Sequence, residues 1–373
     1  MEDTTRGELT VGLIADPGLP LERARELRTW LPDRLSSAVA DVTWEVQVER
    51  LSLPLDEDGG VKLNANAGLL RDQRDWDYLV YLTDLPKYIE GEPLLATVNT
   101  DYGAAMVVLP ALGIIRRKGL RQQVLEVVDA LHAAGVEQRN FGPVASPINR
   151  LFSRDVAVGD TGTTNDFETV SGWPGRLLLQ AGLVRSNRPW RLVPQLSSSM
   201  AAAAATGAFG VFYTSIWSMA DYLSPLRLAS ISLLSIAVMS LWLILANGLW
   251  ERPQAGPRPR ERKLTYNTAT TATIVIAVAV MYVVLFCLIL GGSLIIIAED
   301  YISDVLGHAA SFGEYINLAW LSASLGTLAG AVGSSFDDEQ SVRQATFSSR
   351  EYERRQITLE PDDEVKPTAT DGS

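Results

Sequence analysis

The 373 residues carry 32 lysines and arginines against 44 aspartates and glutamates, a net charge of -12, with 47% hydrophobic residues and one cysteine. An acidic chain with no obvious basic face excludes nucleic acid as a general partner, and the lone Cys287 excludes an intramolecular disulfide or a thiolate metal cluster. Nearly all charges lie before Arg191, within residues 250–263 or after Asp337, and the stretches between include uncharged runs of twenty residues or more. That contrast is the signature of a soluble domain joined to a membrane domain.

The first residues, MEDTTRGELTVGLIADPG, lack the positive n-region, the apolar h-region and the small-residue cleavage site of a signal peptide, so the amino terminus is expected in the cytoplasm. LTVGLIADPG reads as a strand ending in a turn. Leu21, Ala24, Leu27, Leu31, Leu35 and Ala38 mark one face of a helix, and VTWEVQVERL alternates as a strand. After the polar loop DEDGG comes a short helix near Asn64 to Arg71. WDYLVYLTDLP is the strongest strand, with DLP as its exit turn. LLATVNTDYGAAMVVLPAL reads as two further strands around Asp101, and Leu120, Val124, Leu125, Val128 and Leu131 give the last strong helix. Strands alternating with helices predict a cytoplasmic α/β domain over residues 1–140.

Asp84 stands at the carboxyl end of a strand, where open α/β sheets bind ligands, and with Asn99 and Asp101 could line a pocket. The alternative is that Asp84 and Asp101 are turn residues bonding their own backbone. Neither G-x-x-x-x-G-K-[ST] nor G-x-G-x-x-G is present, and His132 is the only histidine of the domain, so neither a His-paired nucleophile nor a multi-histidine zinc site can be assembled. The sequence therefore predicts no catalytic residue, no metal ligand and no cofactor.

Residues 141–196 form a linker and juxtamembrane segment. Gly142 to Thr169 reads as an extended connection. SGWPGRLLLQAGLVRSNRPWRLV, with Leu177, Leu178, Leu179 and Leu183 beside Arg176, Arg185, Arg188 and Arg191, reads as an amphipathic helix on the inner membrane face, an anchor or an anionic-lipid sensor.

A crossing needs about 20 apolar residues. Four segments within residues 197–336 qualify: about Met200 to Ala220, Leu228 to Leu249, Thr271 to Ala298 and Tyr315 to Ser335, the last being the least hydrophobic. The third is long enough to be tilted, kinked at Gly291 and Gly292, or partly beyond the bilayer. Between the second and third lies WERPQAGPRPRERK, whose Arg252, Arg258, Arg260, Arg262 and Lys263 hold that loop in the cytoplasm. Arg188 and Arg191 before the first crossing, and Arg343, Arg350, Arg354 and Arg355 after the fourth, put both termini on the same side. The remaining loops, DYLSPLR and EDYISDVLGHAASFGE, carry no excess of cations. Ser322, Gly326, Gly330 and Ser334 recur every fourth residue as a small-residue ridge, serving either a dimer seam or packing within the chain. The polar tail, residues 337–373, ends in LEPDDEVKPTATDGS, which is expected to be disordered.

Two resemblances add to this. The order strand, helix, strand, VYLTDLP, LLATVNTDYG, MVVLP and helix RQQVLEVVDALH resembles the layout of metzincin-type peptidases, whose last helix carries H-E-x-x-H. Here that helix has Gln122 to Glu126, which implies a fold without its metal site, acting by binding. Over nearly the whole chain, VGLIADPGLP, RDWDYLVYLTDLP, RPWRLVPQLSSS and NLAWLSASLGTLAGAVGS resemble an actinobacterial family of four-helix integral membrane proteins, some labelled 5,10-methylenetetrahydrofolate dehydrogenase. The folate dehydrogenases use a Tyr-x-x-x-Lys pair, and none of the five lysines here has a tyrosine four positions before it. The expectation is a bacterial plasma-membrane protein, regulatory or scaffolding, whose partners are the bilayer and a protein partner or second copy. A membrane-anchored enzyme and a small-solute transporter are the alternatives.

Overall fold

A computed structural model describes residues 7–38, 42–55, 61–89, 91–113, 117–136, 153–155, 165–170, 172–250 and 260–359. The chain divides into two compact units, Met1–Ser186 with Ser348–Ser373, and Asn187–Phe347. An α/β sheet region comes first and a mostly helical part follows.

The first unit is built on strands β1 (Gly7–Ala15), β2 (Val42–Arg50), β3 (Tyr78–Thr83), β4 (Tyr88–Ile89), β5 (Glu92–Asn99), β6 (Ala104–Val108), β7 (Ser153–Asp155) and β8 (Asn165–Val170). They lie in the order β2-β1-β3-β6-β5-β8-β7, with β4 hairpinned onto β5. The pairings among β2, β1, β3 and β6 are parallel, and those of β6 with β5, β5 with β8 and β8 with β7 are antiparallel. The strand sequences follow their positions. At the edge, β2 alternates buried Trp44 and Val46 with exposed Thr43, Glu45 and Gln47, whereas the central β3 is a nearly continuous buried run.

One face of the sheet presents Val11, Leu13, Ala15, Val80, Leu82, Ala105 and Val107 to helices α1 (Leu19–Arg28), α2 (Leu31–Ala38) and α4 (Arg117–Val136). Helix α3 (Leu63–Arg74) packs against β3 and β6. The single helix read over Leu21 to Ala38 is two. The first ends at Arg28 and the second carries Pro32 in its first turn, where its missing amide costs no helical bond.

The stretch read as an extended connection is partly sheet: β8 pairs with β5 from Leu94↔Thr169 to Asn99↔Asn165, and β7 pairs with β8. Period-2 patterning in NDFETV is too short to separate from the surrounding Thr, Asp and Gly. Helix α5 (Gly172–Asn187) forms as expected, but Leu179 and Leu183 are buried, Leu178 approaches Gly113, and a Cβ on Gly182 would fall 2.1 Å from the Pro110 carbonyl. That apolar face is covered by protein, leaving Trp173 and Leu177 exposed.

The second unit holds α6 (Ser197–Phe212), α7 (Thr214–Tyr222), α8 (Pro225–Ala246), α9 (Arg260–Ile296), α10 (Glu299–Leu306), α11 (Phe312–Gly333) and α12 (Glu339–Thr346). Three helices, Pro225–Ala246, Lys263–Ile296 and Phe312–Gly333, are long and apolar enough to cross a membrane. The segment read as the first crossing is broken. Val193–Phe212 and Thr214–Tyr222 meet at 87°, with Tyr213 extended and the Trp217 indole donating to the Gly210 carbonyl at 2.8 Å. At 37 residues α9 is helical through Gly291 and Gly292; it is ~55 Å long against ~30 Å of hydrocarbon, a length that calls for tilt or for an end outside the apolar layer wherever it crosses a bilayer. Ser311 and Glu314 form a reciprocal cap at the start of α11.

Helix α11 explains its own low hydropathy. Its mean hydropathy is 1.3 against 2.3 and 3.1 for the other two, and 61% of that window is buried against 39% for each of them. A helix in contact with protein rather than lipid is free to carry Ser, Thr and Gly. Asp337, just after it, accepts from the Ser198 amide at 2.9 Å and the Ser199 hydroxyl at 2.6 Å, capping the first turn of α6.

Candidate functional site

Strands β1 and β3 are parallel neighbours in register, Ala15 beside Leu82, so the residues that follow them leave the sheet at the same edge. Those residues are Asp16 and Asp84. The Asp16 amide donates to the Leu82 carbonyl at 3.0 Å, continuing the ladder one residue past β1. Asp16 is fully buried and Asp84 is 2% exposed. Asp16 accepts from the Tyr81 hydroxyl at 2.5 Å on Oδ1 and from the Thr83 hydroxyl at 2.6 Å on Oδ2.

The tail completes this site. Helix α13 (Ser349–Leu359) places the Arg350 Nε 3.3 Å from Asp16 Oδ1, while its Nη2 donates to the Leu53 carbonyl and its Nη1 to Glu353 at 3.2 Å. The Ser52 hydroxyl donates to Glu353 at 3.4 Å. Glu351, also buried, accepts from Arg354 at 2.8 and 2.7 Å and from Arg355 at 2.8 Å. Asp84 is served worst: both its carboxylate oxygens are buried with no partner in hydrogen-bond geometry.

Burial pushes the Asp84 carboxyl well above the ordinary range, the neighbouring Asp16 charge adds to this, the Ser348 hydroxyl opposes it and Glu351 adds again. Burial raises Asp16 too, but Arg350 and the two hydroxyl donors work against it. Of the two carboxyls, Asp16 has the compensating guanidinium and two hydroxyl donors, and Asp84 is the one that burial pushes well above the ordinary range. Burial and the Asp16 charge drive the Tyr81 phenol far up, keeping it a donor. Burial would raise Glu351 as well, yet Arg354 and Arg355 hold it below its usual value.

The three residues read as one pocket fall at opposite edges. Asn99 pairs with Ala104, and Ala104 pairs with Leu79 at the amino end of β3, five residues before Asp84; the separation along the strand is ~16 Å. The reason is that β5 runs antiparallel to β6, which no residue pattern in LLATVNTDYG reveals. Asn99 accepts from the Tyr102 amide at 3.2 Å, a turn bond, and Asp101 is exposed in the same turn. Asp16 was the missed partner. Its signal was present, since an apolar strand followed by Asp and a proline turn occurs twice, in LIADPG and YLTDLP. Nothing in the sequence marked Arg350 as its countercharge.

Helix α4 holds a second polar group. Gln123 donates to Glu168 at 3.0 Å and Gln122 to Glu126 at 2.9 Å. Among the described residues no cluster of three or more His, Cys, Asp or Glu could hold a metal ion. His132 is a packing residue, 3.2 Å from the Tyr78 hydroxyl and edge-on to Trp44.

In the helical unit the small-residue ridge of α11 meets α6. A Cβ on Gly326 would fall 2.5 Å from the Ala203 carbonyl, one on Gly330 3.0 Å from that of Ser199, and one on Gly210 1.7 Å from the Ser322 hydroxyl. Ser334 closes the ridge in a 3-10 turn, bonding Ala331. The ridge is thus engaged within the chain. Between helices, Ser232, Tyr282 and Ser324 hydroxyls lie 2.9 to 3.1 Å apart and the Trp320 indole donates to Ser232 at 2.6 Å. Of the flanking cations, Arg188 and Lys263 are half-buried and Arg191 is exposed. Arg260 and Arg262 stand in the first turn of α9, and Arg258 lies outside the described residues.

No family model, curated protein or solved structure matches this chain.

Proposed function

We propose that the chain is a multi-pass plasma-membrane protein whose α/β domain is a cytoplasmic binding module, regulatory or scaffolding in role. The observation that carries the module reading is that the ligand edge of the parallel strands is filled by the chain's own helix α13, through Arg350 on the buried Asp16. A site closed by a protein segment is suited to exchange protein segments. The Arg350 guanidinium that reaches Asp16 also neutralises a carboxylate that an acid–base reaction would need.

Four crossings are supported by the 20 residues of Val193–Phe212, ~30 Å of helix, with α7 turned through 87° to lie along the interface. Cations flanking these helices on one side, and their scarcity in the other loops, support cytoplasmic termini. The likeness to four-helix actinobacterial membrane proteins points the same way, and the likeness to a peptidase layout without its zinc motif agrees with a domain that binds rather than cleaves.

Hydrogen exchange on protein in nanodiscs tests the module. Ending the chain at Phe347 is expected to speed amide exchange around Asp16 and Thr83–Leu85 at least tenfold, with β5 and β8 unchanged. Unchanged exchange at the strand ends contradicts the reading.

A further inference from the structure

We propose that Trp173, Arg176 and Leu177 of α5 form a binding surface for anionic lipid headgroups, which holds the sheet domain against the cytoplasmic leaflet of the bilayer that the chain itself crosses. The proposal rests on the reading of the apolar helices as membrane crossings and adds a second, peripheral contact with its face and its ligand class.

Helix α5 has two faces, and the leucine-rich one is spent on protein. Gly175, Leu179, Gly182 and Leu183 are buried. A Cβ on Gly175 would fall 2.6 Å from the Val170 carbonyl and one on Gly182 2.1 Å from that of Pro110, so these two glycines let the helix backbone lie directly on the domain. The opposite face follows helical spacing, with Trp173, Arg176 and Leu177 exposed at i, i+3 and i+4. Trp173 is 74% exposed and Leu177 57%. A tryptophan and a leucine beside an arginine suit the headgroup zone, where ring and leucine enter the acyl boundary while the guanidinium stays among the phosphates.

Charge selects the ligand. No Asp or Glu stands between Glu168 and Asp221, and Arg176, Arg185, Arg188 and Arg191 all fall in that stretch of a chain whose net charge is -12. Such a cationic run attracts an anionic surface and repels a second copy of itself. At the start of the helix the Glu92 carboxylate is turned to the Gly172 amide, 3.2 Å away. Size points the same way. Two apolar side chains fall short of the about 800 Å² that each partner buries in a stable protein contact. A membrane contact needs less, because residues 188–196 join α5 to α6 by a tether of at most ~35 Å, which makes lipid binding intramolecular.

The test uses the full chain in nanodiscs, in a Cys287→Ala background, with an environment-sensitive fluorophore on Gln180→Cys, one turn beyond Leu177 on the same face, or on Thr43→Cys, exposed on β2. The discs contain phosphatidylcholine alone or with an equal amount of phosphatidylglycerol, and a phosphatidylcholine spin-labelled near its headgroup is the quencher. Expected is quenching at position 180 at least threefold stronger than at position 43 in the anionic discs, and at least twofold stronger there than in the neutral ones. Trp173→Ala combined with Leu177→Ala lowers it to the level of position 43. Arg176→Glu, which leaves the apolar pair in place, at least halves the difference between the two lipids. All three replaced side chains are exposed, so loss of the fold does not stand in for loss of binding. Equal quenching at the two positions, indifference to Trp173 and Leu177, or equal quenching in the two lipids overturns the proposal. A fluorophore already shielded in detergent, with no further change in discs, means that protein covers this face and overturns it as well. A chain that stays in solution without detergent or disc rejects the membrane reading itself, and the proposal with it.

Discussion

Asp84 shows how a residue chosen correctly from sequence can sit in a different environment from the one imagined. Its place after an apolar strand was legible, whereas its burial beside Asp16 and beside Ser348, 264 positions later, was not. Because burial raises its folded-state value above that of the unfolded chain, the native state holds the proton longer. Stability is then lost as pH rises from the ordinary carboxylate range to the raised one. Asp84→Asn removes that loss. Thermal unfolding followed by tryptophan fluorescence should place the variant near the native chain at pH 4 and more stable by about 1–3 kcal/mol at pH 8. A variant less stable at pH 8 contradicts the upward shift of Asp84. Gly210 makes the same point by sterics. The Ser322 hydroxyl stands where its Cβ would be, so Gly210→Ala should cost about 1–3 kcal/mol in a detergent unfolding titration, and wild-type behaviour would mean the helices do not approach so closely.

Elements were legible where pattern and environment agree. β3 is apolar because it is buried on both faces, and α4 because one stripe covers the sheet. Elements failed where punctuation outweighed periodicity: Pro32 splits the first helix, Tyr213 breaks the first apolar run, and β7 and β8 are short strands among turn-forming residues. α11 was the weakest apolar segment by hydropathy and is the most buried of the three, a reversal that follows from its ridge against α6. Its polar contacts are a separate matter. Ser232→Ala and Tyr282→Phe should each cost only about 0.6 kcal/mol, since an interhelical bond competes with alternatives in the unfolded state. A loss several times larger would mark the cluster as more than packing.

At the scale of the whole molecule, charge distribution carried most of what could be read. It separated a charged sheet region from an apolar helical part, and it is the basis on which the loops are expected to take sides. It could not show that the tail returns to the sheet domain, because α13, SREYERRQITL, is polar throughout its described part and looks like a solvated helix until Asp16 is known to be buried beneath Arg350. If the apolar helices cross a membrane, a tail helix that packs on the sheet puts the amino-terminal domain and the carboxyl-terminal helix on the same side of it.

Single-cysteine labelling tests this most directly. In a Cys287→Ala background, intact cells treated with a membrane-impermeant maleimide should label Asp304→Cys and leave Thr4→Cys, Arg258→Cys and Ser349→Cys unlabelled until the membrane is opened. Labelling of Thr4→Cys and Arg258→Cys from opposite faces, or extraction of the carboxyl half without detergent, contradicts the account.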